Sequence, residues 1–464
     1  MAEELELRSA WEAAGQGQVF DFWNDLSSEQ RATLIQQCGD VNLAALQETW
    51  ASGPQLATID CREATRLEAE RFSPLEPSDK SSIWRKEGEQ AIADGRVGVV
   101  IVAGGQGTRL GFDKPKGLYP VGPLSNRTLF ECILDRVEER ARRLVAQPLV
   151  VLVMTSDATH DETVEYFQQQ EGHWPNLDLR PFRQGTMPAL AADSGRVLLE
   201  SRGRVALSPD GHGGLVAALR RTGELERLSE RGVETLFYCQ IDNPLVDALC
   251  PELIGAHLSA RSEMTTLVVR KNDPAERVGN VAMFGSRMAI VEYSDIDQEN
   301  ARRLDEQGEL VFWAGNTGVH LFSLEFIASA AKESGTLPFH WARKKVGTID
   351  AAGDPVEPSE PNAIKLERFI FDLMPHAART LAIEVRAADY FAPVKNAEGA
   401  ASDTRATCQA AMLEQGRQWL EAAGASVAAR ARVELAPSFG LDPVDLKSKP
   451  DLSERAFEGD QFLT

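Results

Sequence analysis

Paired cysteines are missing from this 464-residue chain: the six it has, Cys38, Cys61, Cys132, Cys239, Cys250 and Cys408, are scattered and none forms a CxxC. That spacing argues against a disulfide framework and a structural zinc site, and predicts buried, reduced thiols. The seven histidines include no HxxxH or HExxH, so no catalytic zinc is expected. Long apolar runs are missing too, since no window approaches the roughly 20 residues a membrane span needs. The start, MAEELELRSAWEAAGQG, is acidic and has no basic stretch ahead of an apolar one, so it does not read as a secretory signal and the cytoplasm is the expected compartment. No fixed-period repeat or low-complexity tract is visible, which argues against solenoids and disordered linkers. Cations are outnumbered, 49 Lys and Arg against 70 Asp and Glu, for a formal net charge of −21. Such a field opposes general binding to nucleic acid or to an anionic membrane. A polyphosphate ligand would need a few cations gathered locally, and a divalent metal.

What is present is ordinary for a folded chain: 43% apolar and 26% charged residues. The length allows one large domain with appendages or three smaller ones, because single cores split beyond roughly 250 to 300 residues. Residues 20–71 carry a helical pattern, with Ser27 and Gln30 as a capping box ahead of Leu34 and Ile35. After the turn-rich SPLEPSDKSS, the segment IWRKEGEQAIADG predicts a helix closed by Gly95, and the strand VGVVIVA follows. Strands and helices then alternate. A helix capped by Thr128 and Glu131 leads to the strand LVVLVMTS, and Thr159 with Glu162 reads as the cap of the next helix. ETLFYCQI, MTTLVVR and AIVEYS are further strands.

Near-continuous apolar strands alternating with helices predict an α/β fold with a Rossmann-like, mixed or parallel central sheet flanked by helices. The expected organisation is a helical N-terminal region (1–85), a catalytic domain (86–388) and a small C-terminal domain (389–464) carrying a helix from Thr404 to Ala422.

The stretch VVIVAGGQGTRLGFDKPKG, residues 99–117, passes from an apolar strand into a glycine-rich turn. Glycines let the main chain approach an anion and present its N–H groups. The dinucleotide pattern GxGxxG fails, because starting at Gly105 and Gly107 its third glycine falls on Leu110; GxxxxGK[ST] fails in every register. The distinguishing content is cationic: Arg109 inside the turn and Lys116 just after the rigid Pro115. A guanidinium and an ammonium beside a nest of backbone donors fit a triphosphate whose leaving group gains charge during reaction.

AGGQGTRLG followed by PKG resembles the signature of the uridylyltransferases that join UTP to a sugar 1-phosphate, and most closely the UDP-N-acetylhexosamine pyrophosphorylase branch. The resemblance continues through FRQGTMPAL, LSPDGHGGL, YCQIDNPL, VEYSDI, AGNTGVHLF, PNAIKLERFIFD and YFAPVKNAEG in the family's order, over roughly residues 20–410. It implies that Val102, Ala103, Gly104 and Gly105 contact the nucleotide while Arg109 and Lys116 face its phosphates. Gln184 resembles the uracil-reading glutamine, whose amide both donates and accepts. Gly211 would approach the uridine. Glu292 and Tyr293 resemble the pair that holds sugar hydroxyls, with Asn316 a further sugar contact. Lys365, expected on a helix face in IKLER, and Lys395 resemble the partners of UTP and of the sugar phosphate. Asp242, just after an apolar strand in QIDNP, is placed to hold Mg²⁺ against the phosphates.

His212 departs from the pattern. The N-acetylhexosamine enzymes usually carry Asn there, whereas UDP-glucose enzymes resemble PPGHGD; PDGHGG mixes the two, with Gly214 where the glucose enzymes have Asp. The sugar therefore stays open between N-acetylglucosamine 1-phosphate and the glucose or galactose analogues. The implied reaction is in-line displacement at the α-phosphorus of UTP, with no protein nucleophile, resting on alignment and charge neutralisation. A sensor that binds sugar nucleotides without turnover is the alternative from another class. A nicotinamide-dependent oxidoreductase is disfavoured by Leu110.

Overall fold

The computed structural model describes residues 2–54, 60–332 and 337–464. The chain folds as two compact units interleaved in sequence: Asp60–Arg183, Ala218–Ser334 and Leu373–Thr464 form the larger, and Met1–Ile59, Gln184–Ala217 and Gly335–Asp372 the smaller. The three segments expected from the sequence are consecutive. The contacts instead group the N-terminal helices with two later stretches, and the C-terminal residues with the central ones.

The larger unit is built on a sheet of 11 strands among the described residues. Its main strands are β1 (Val97–Val102), β2 (Leu149–Thr155), β3 (Leu177–Arg183), β4 (Thr235–Gln240), β5 (Met264–Arg270), β6 (Ala314–Ser323) and β7 (Thr380–Val385). They run in the order β7-β5-β6-β4-β1-β2-β3, with the short strand Glu70–Arg71 beyond β7. All are parallel except β6, which is antiparallel to both β4 and β5. The expected α/β class and mostly parallel sheet are thus what the chain forms.

The apolar runs of β1 and β2 are buried on both faces, as sheets covered by helices require. Val99, Ile101, Val151, Val153, Phe237, Leu267 and Leu321 meet Ile92, Phe130, Ile133, Val137, Leu253 and Ile254 from the flanking helices in one core. Two of those helices, Asp79–Ala93 and Pro251–Ser259, cross at glycines. A Cβ on Gly88 would sit 1.9 Å from the Pro251 carbonyl oxygen, and one on Gly255 1.9 Å from that of Trp84. The C-terminal segment has its own small core around Trp419, Leu420, Val433, Leu446 and Phe457. It also reaches back: the buried Glu434 carboxylate accepts from the Leu124 and Ser125 N–H groups at 2.7 and 2.8 Å, fixing the turn ahead of the helix Leu129–Leu144.

The smaller unit packs the helices Ser28–Asp40 and Leu43–Ser52 over a sheet of His340–Lys344, Ala363–Glu367 and Leu190–Ala191. Its core holds Trp11, Phe20, Trp23, Leu34, Leu46, Leu190, Ile364 and Leu366, and Trp50 stacks on Trp341 at 5.1 Å.

The capping boxes at Ser27/Gln30 and Thr128/Glu131 form as read. Three local readings are corrected. Helix does not persist to residue 71: from Cys61 the chain makes one 3₁₀ turn and two short strands that add to the large sheet. The helix Asp157–Gln169 begins one turn early, capped at Ser156, whose N–H donates to Thr159 Oγ1 at 3.0 Å; Thr159 is the third residue of that cap. Finally, Lys365 lies on the strand Ala363–Glu367, paired antiparallel with His340–Lys344, and not on a helix. Buried Ile364 and Leu366 flank it with a period of two, which fits a sheet face and would split across a helix. No described helix is long and apolar enough to cross a membrane.

Candidate active site

From β1 the chain crosses to β2 and β3 on one side, then returns to add β4 on the other side of β1. The crevice beyond the carboxyl ends of β1 and β4 is therefore the topological switch point, where open α/β sheets bind ligands. The Ile241 N–H donates to the Val102 carbonyl at 3.0 Å and carries the pairing to the lip of that crevice.

The glycine turn leaves β1 there. Ala103 N–H donates to Met154 O at 2.7 Å, and Ser156 Oγ to Gly104 O at 2.8 Å. Beyond, Gly107 N–H bonds Lys114 O, Leu110 and Phe112 N–H bond Gly107 O, and Lys116 N–H bonds Gly105 O at 3.0 Å. None of these bonds uses the N–H of Gly104, Gly105 or Gln106. No helix follows directly: one-turn 3₁₀ segments, Thr108–Leu110 and Lys116–Leu118, carry Arg109 and Lys116, and the first α-helix starts at Leu129. Any phosphate here would meet loop amides and cations rather than a helix N-terminus. Two glycines are required by packing, since a Cβ on Gly107 would lie 2.7 Å from Phe112 and one on Gly117 2.1 Å from the Phe130 ring. Arg109 is exposed and has no ion pair among the described residues.

Asp242 stands two residues past the end of β4. Its carboxylate stands 3.6 Å from Lys116 Nζ, both side chains being largely sheltered, and its carbonyl accepts from Val394 N–H at 2.8 Å. That bond draws in the segment bearing Lys395. Asn243, buried and unremarked in the sequence reading, does more: its amide donates to Tyr390 O at 2.7 Å and accepts from Ala392 N–H at 3.1 Å. The signal was the residue after Asp242 in QIDNP, an amide able to bond both ways along a passing backbone. Lys395 itself is exposed, 5.8 Å over the Phe391 ring, and its N–H bonds Asp403 O. Asp403 sits at φ 57°, and burial together with the nearby Asp242 charge pushes its carboxyl up against the opposing pull of Lys395.

A second group lies beside the first. Asn316 is on β6, which runs opposite to β4 and so begins near β4's carboxyl end; Gly318 on the same strand approaches the Gln240 side chain. Glu292 and Tyr293 follow the strand Arg287–Val291, and Tyr293 is 47% exposed, unusual for a large ring. Gly279 lies against both: a Cβ there would meet Ile290 Cγ2 at 3.1 Å, Glu292 Oε1 at 3.2 Å and Asn316 Cβ at 3.6 Å.

The remaining predicted residues, Gln184, Gly211, His212 and Lys365, are grouped in the smaller unit. Gln184 is buried just after β3. Gly211 takes φ 84° with its Cα against the Arg368 backbone, where a Cβ would be 2.4 Å from the carbonyl oxygen, and Gly213 N–H bonds that same oxygen. The end of Lys365's strand thus grips the PDGHGG turn. His212 stacks on Phe369 at 5.2 Å and 13°, and its Nδ1 accepts from Ile370 N–H at 3.2 Å. Burial and the neighbouring His340 bring its pKa down to about 4, so the ring is neutral near pH 7 and Nε2 carries the proton. Gly214 has no room for the aspartate of the glucose pattern: a Cβ would lie 2.1 Å from the buried Asp210 carboxylate. The turn holds one carboxylate, at its start.

Loop amides, cations and a carboxylate thus meet at the switch point of a mostly parallel sheet, an arrangement suited to phosphate chemistry. Residues 48–443 match the family of UTP–glucose-1-phosphate uridylyltransferase. The chain is 35% identical over 443 residues to the UDP-N-acetylhexosamine pyrophosphorylase-like protein 1 of Homo sapiens, spanning 92% of this chain and 87% of the relative. It is 32% identical to the UDP-N-acetylglucosamine pyrophosphorylase of Saccharomyces cerevisiae, over 89% and 90%. The solved uridine diphosphate N-acetylglucosamine pyrophosphorylase of Trypanosoma brucei, in complex with an inhibitor, superposes with a TM-score of 0.80 at 26% identity, covering 100% of this chain and 98% of that one. The chain belongs to the UTP–glucose-1-phosphate uridylyltransferase family, and so to the sugar-nucleotide-forming enzymes.

Proposed function

We propose that this chain transfers the uridylyl group of UTP to N-acetylglucosamine 1-phosphate, releasing pyrophosphate. The observation that carries this is the meeting, beyond the ends of β1 and β4, of the Gly104, Gly105 and Gln106 amides, which make no hydrogen bond among the described residues, with Lys116 and Asp242. A phosphate oxygen of the sugar 1-phosphate forms a bond to the α-phosphorus as the bond to the β-phosphate bridge breaks, and pyrophosphate leaves with the electron pair. Arg109 and Lys116 oppose its growing charge, and Lys395 steadies the incoming phosphate. Val102, Ala103, Gly104 and Gly105 line the nucleotide, Gln184 reads uracil, and Gly211 and Lys365 complete the UTP contacts. Glu292, Tyr293, Asn316 and His212 hold the sugar, His212 as a neutral donor through Nε2.

A magnesium ion fits Asp242. Its carboxylate is a hard oxygen donor sheltered at the crevice, and Mg²⁺ characteristically takes one or two carboxylates and completes its shell with phosphates and water. When bound it would neutralise phosphate charge. The reaction occurs between small molecules, in the cytoplasm; six buried, unbridged thiols are in keeping with a reducing compartment.

Glucose 1-phosphate is the second reading, favoured by His212; Gly214 and Asp210 weigh against it. Pyrophosphate release with UTP and a panel of sugar 1-phosphates, with and without chelator, decides. The fastest turnover is expected with N-acetylglucosamine 1-phosphate and none in excess chelator. Release with no sugar in the panel would sink the enzymatic reading.

A further inference from the structure

Lys271, directly after β5, is the one buried lysine among the described residues, 6% exposed. No carboxylate stands within ion-pair distance of it among those residues. Its Nζ donates instead to Asn280 Oδ1 at 2.5 Å and Pro274 O at 3.3 Å, and Asn280 Nδ2 donates on to Val278 O at 3.0 Å. Burial pushes its pKa down, against the distant pull of Glu276 and Asp273. Holding an ammonium in such a place is costly, and a methionine would fill the same volume without that cost.

What the ammonium secures is the excursion between β5 and the strand Asn280–Phe284. That excursion arrives at Gly279, whose carbonyl accepts from Asn316 N–H at 2.8 Å and where a Cβ would meet Ile290 Cγ2 at 3.1 Å, Glu292 Oε1 at 3.2 Å and Asn316 Cβ at 3.6 Å. The lysine stem continues the wall, since a Cβ on Gly315 would touch Val278 at 2.8 Å and Lys271 Cγ at 3.5 Å. We propose that Lys271 is a positioning residue for the sugar 1-phosphate, setting the Gly279–Asn280 backbone to which Asn316 bonds and against which Glu292 rests. This rests on the uridylyltransferase reading and on its assignment of those two residues to the sugar.

The test compares native enzyme with Lys271→Met and with the double variant Lys271→Met/Asn280→Leu, which also removes the Asn280 amide oxygen that the first change leaves without its donor, although the Pro274 and Val278 carbonyls lose their side-chain donors. Thermal midpoints and both Michaelis constants are measured. The double variant is expected to unfold at a higher midpoint than Lys271→Met while its KM for the sugar 1-phosphate stays raised about tenfold or more, with KM for UTP unchanged. Native kinetics in the double variant would overturn the inference, as would an equal rise in both Michaelis constants or a midpoint no better than that of Lys271→Met. If native enzyme releases no pyrophosphate, it is the uridylyltransferase reading that fails instead.

Discussion

Replacing Lys116 by methionine removes one charge and little else. Its backbone N–H, which closes the glycine turn on Gly105 O, is kept, and the side-chain volume is nearly the same. The ammonium stands 3.6 Å from Asp242 with both groups mostly screened from water, so a bound phosphate would meet it at a similar distance and sheltering. A unit charge pair at that separation and an effective dielectric of about 20 is worth about 4.6 kcal/mol, which corresponds to a loss of roughly two thousandfold in kcat/KM. If the contact tightens as pyrophosphate leaves, the loss falls on kcat. The assay is steady-state pyrophosphate release with each substrate varied, alongside thermal unfolding to show that the fold is intact. Lys80→Met is the control: that lysine pairs with Glu70 at the surface, both side chains being substantially exposed, and its loss is expected to be silent. Lys116→Met within about tenfold of native kcat/KM would refute the assignment, because no sheltered phosphate contact is that weak. An equal loss in Lys80→Met would refute it too.

His212→Asn is expected to shift preference between acetylated and unacetylated sugar 1-phosphates while KM for UTP holds, as read from relative kcat/KM; an unchanged ratio removes His212 from sugar choice. Gly255→Ala should lower stability by roughly 3 kcal/mol, read by denaturant unfolding, because its methyl meets the Trp84 carbonyl; an exposed helical glycine would gain from the same change. His257, buried with Nδ1 on Thr265 and its pKa brought down to about 4 by burial, refuses a proton that the unfolded chain accepts near 6.5. Its contribution, about 3 kcal/mol at most, is therefore full above pH 6.5 and lost as pH falls toward 4. His257→Gln should flatten that slope, and a slope unchanged would show the ring charged in the fold.

Much of this protein was legible because local chemistry repeats along the chain. Apolar runs marked β1, β2, β4 and β5 almost to the residue, and the caps at Ser27 and Thr128 needed only their neighbours three positions on. The glycine turn and its two cations stood out for the same reason. The helix assigned around Lys365 failed where a short apolar stretch fits either period and only a partner strand decides. β6 escaped notice as a strand because its pairing partners β4 and β5 lie far off in sequence.

Site residues divided along the same line. Arg109, Lys116 and Asp242 carry charge where a strand ends, so composition and position already single them out. Asn243 and Lys271 are an ordinary amide and an ordinary lysine until the fold buries them. Their roles come from backbone oxygens and amides that arrive from over a hundred residues away, at Tyr390, or around a tight excursion, at Pro274 and Asn280. Periodicity, capping and loop chemistry are short-range and written into residue order. Burial, and with it the cost and direction of every polar contact, exists only once distant segments have packed.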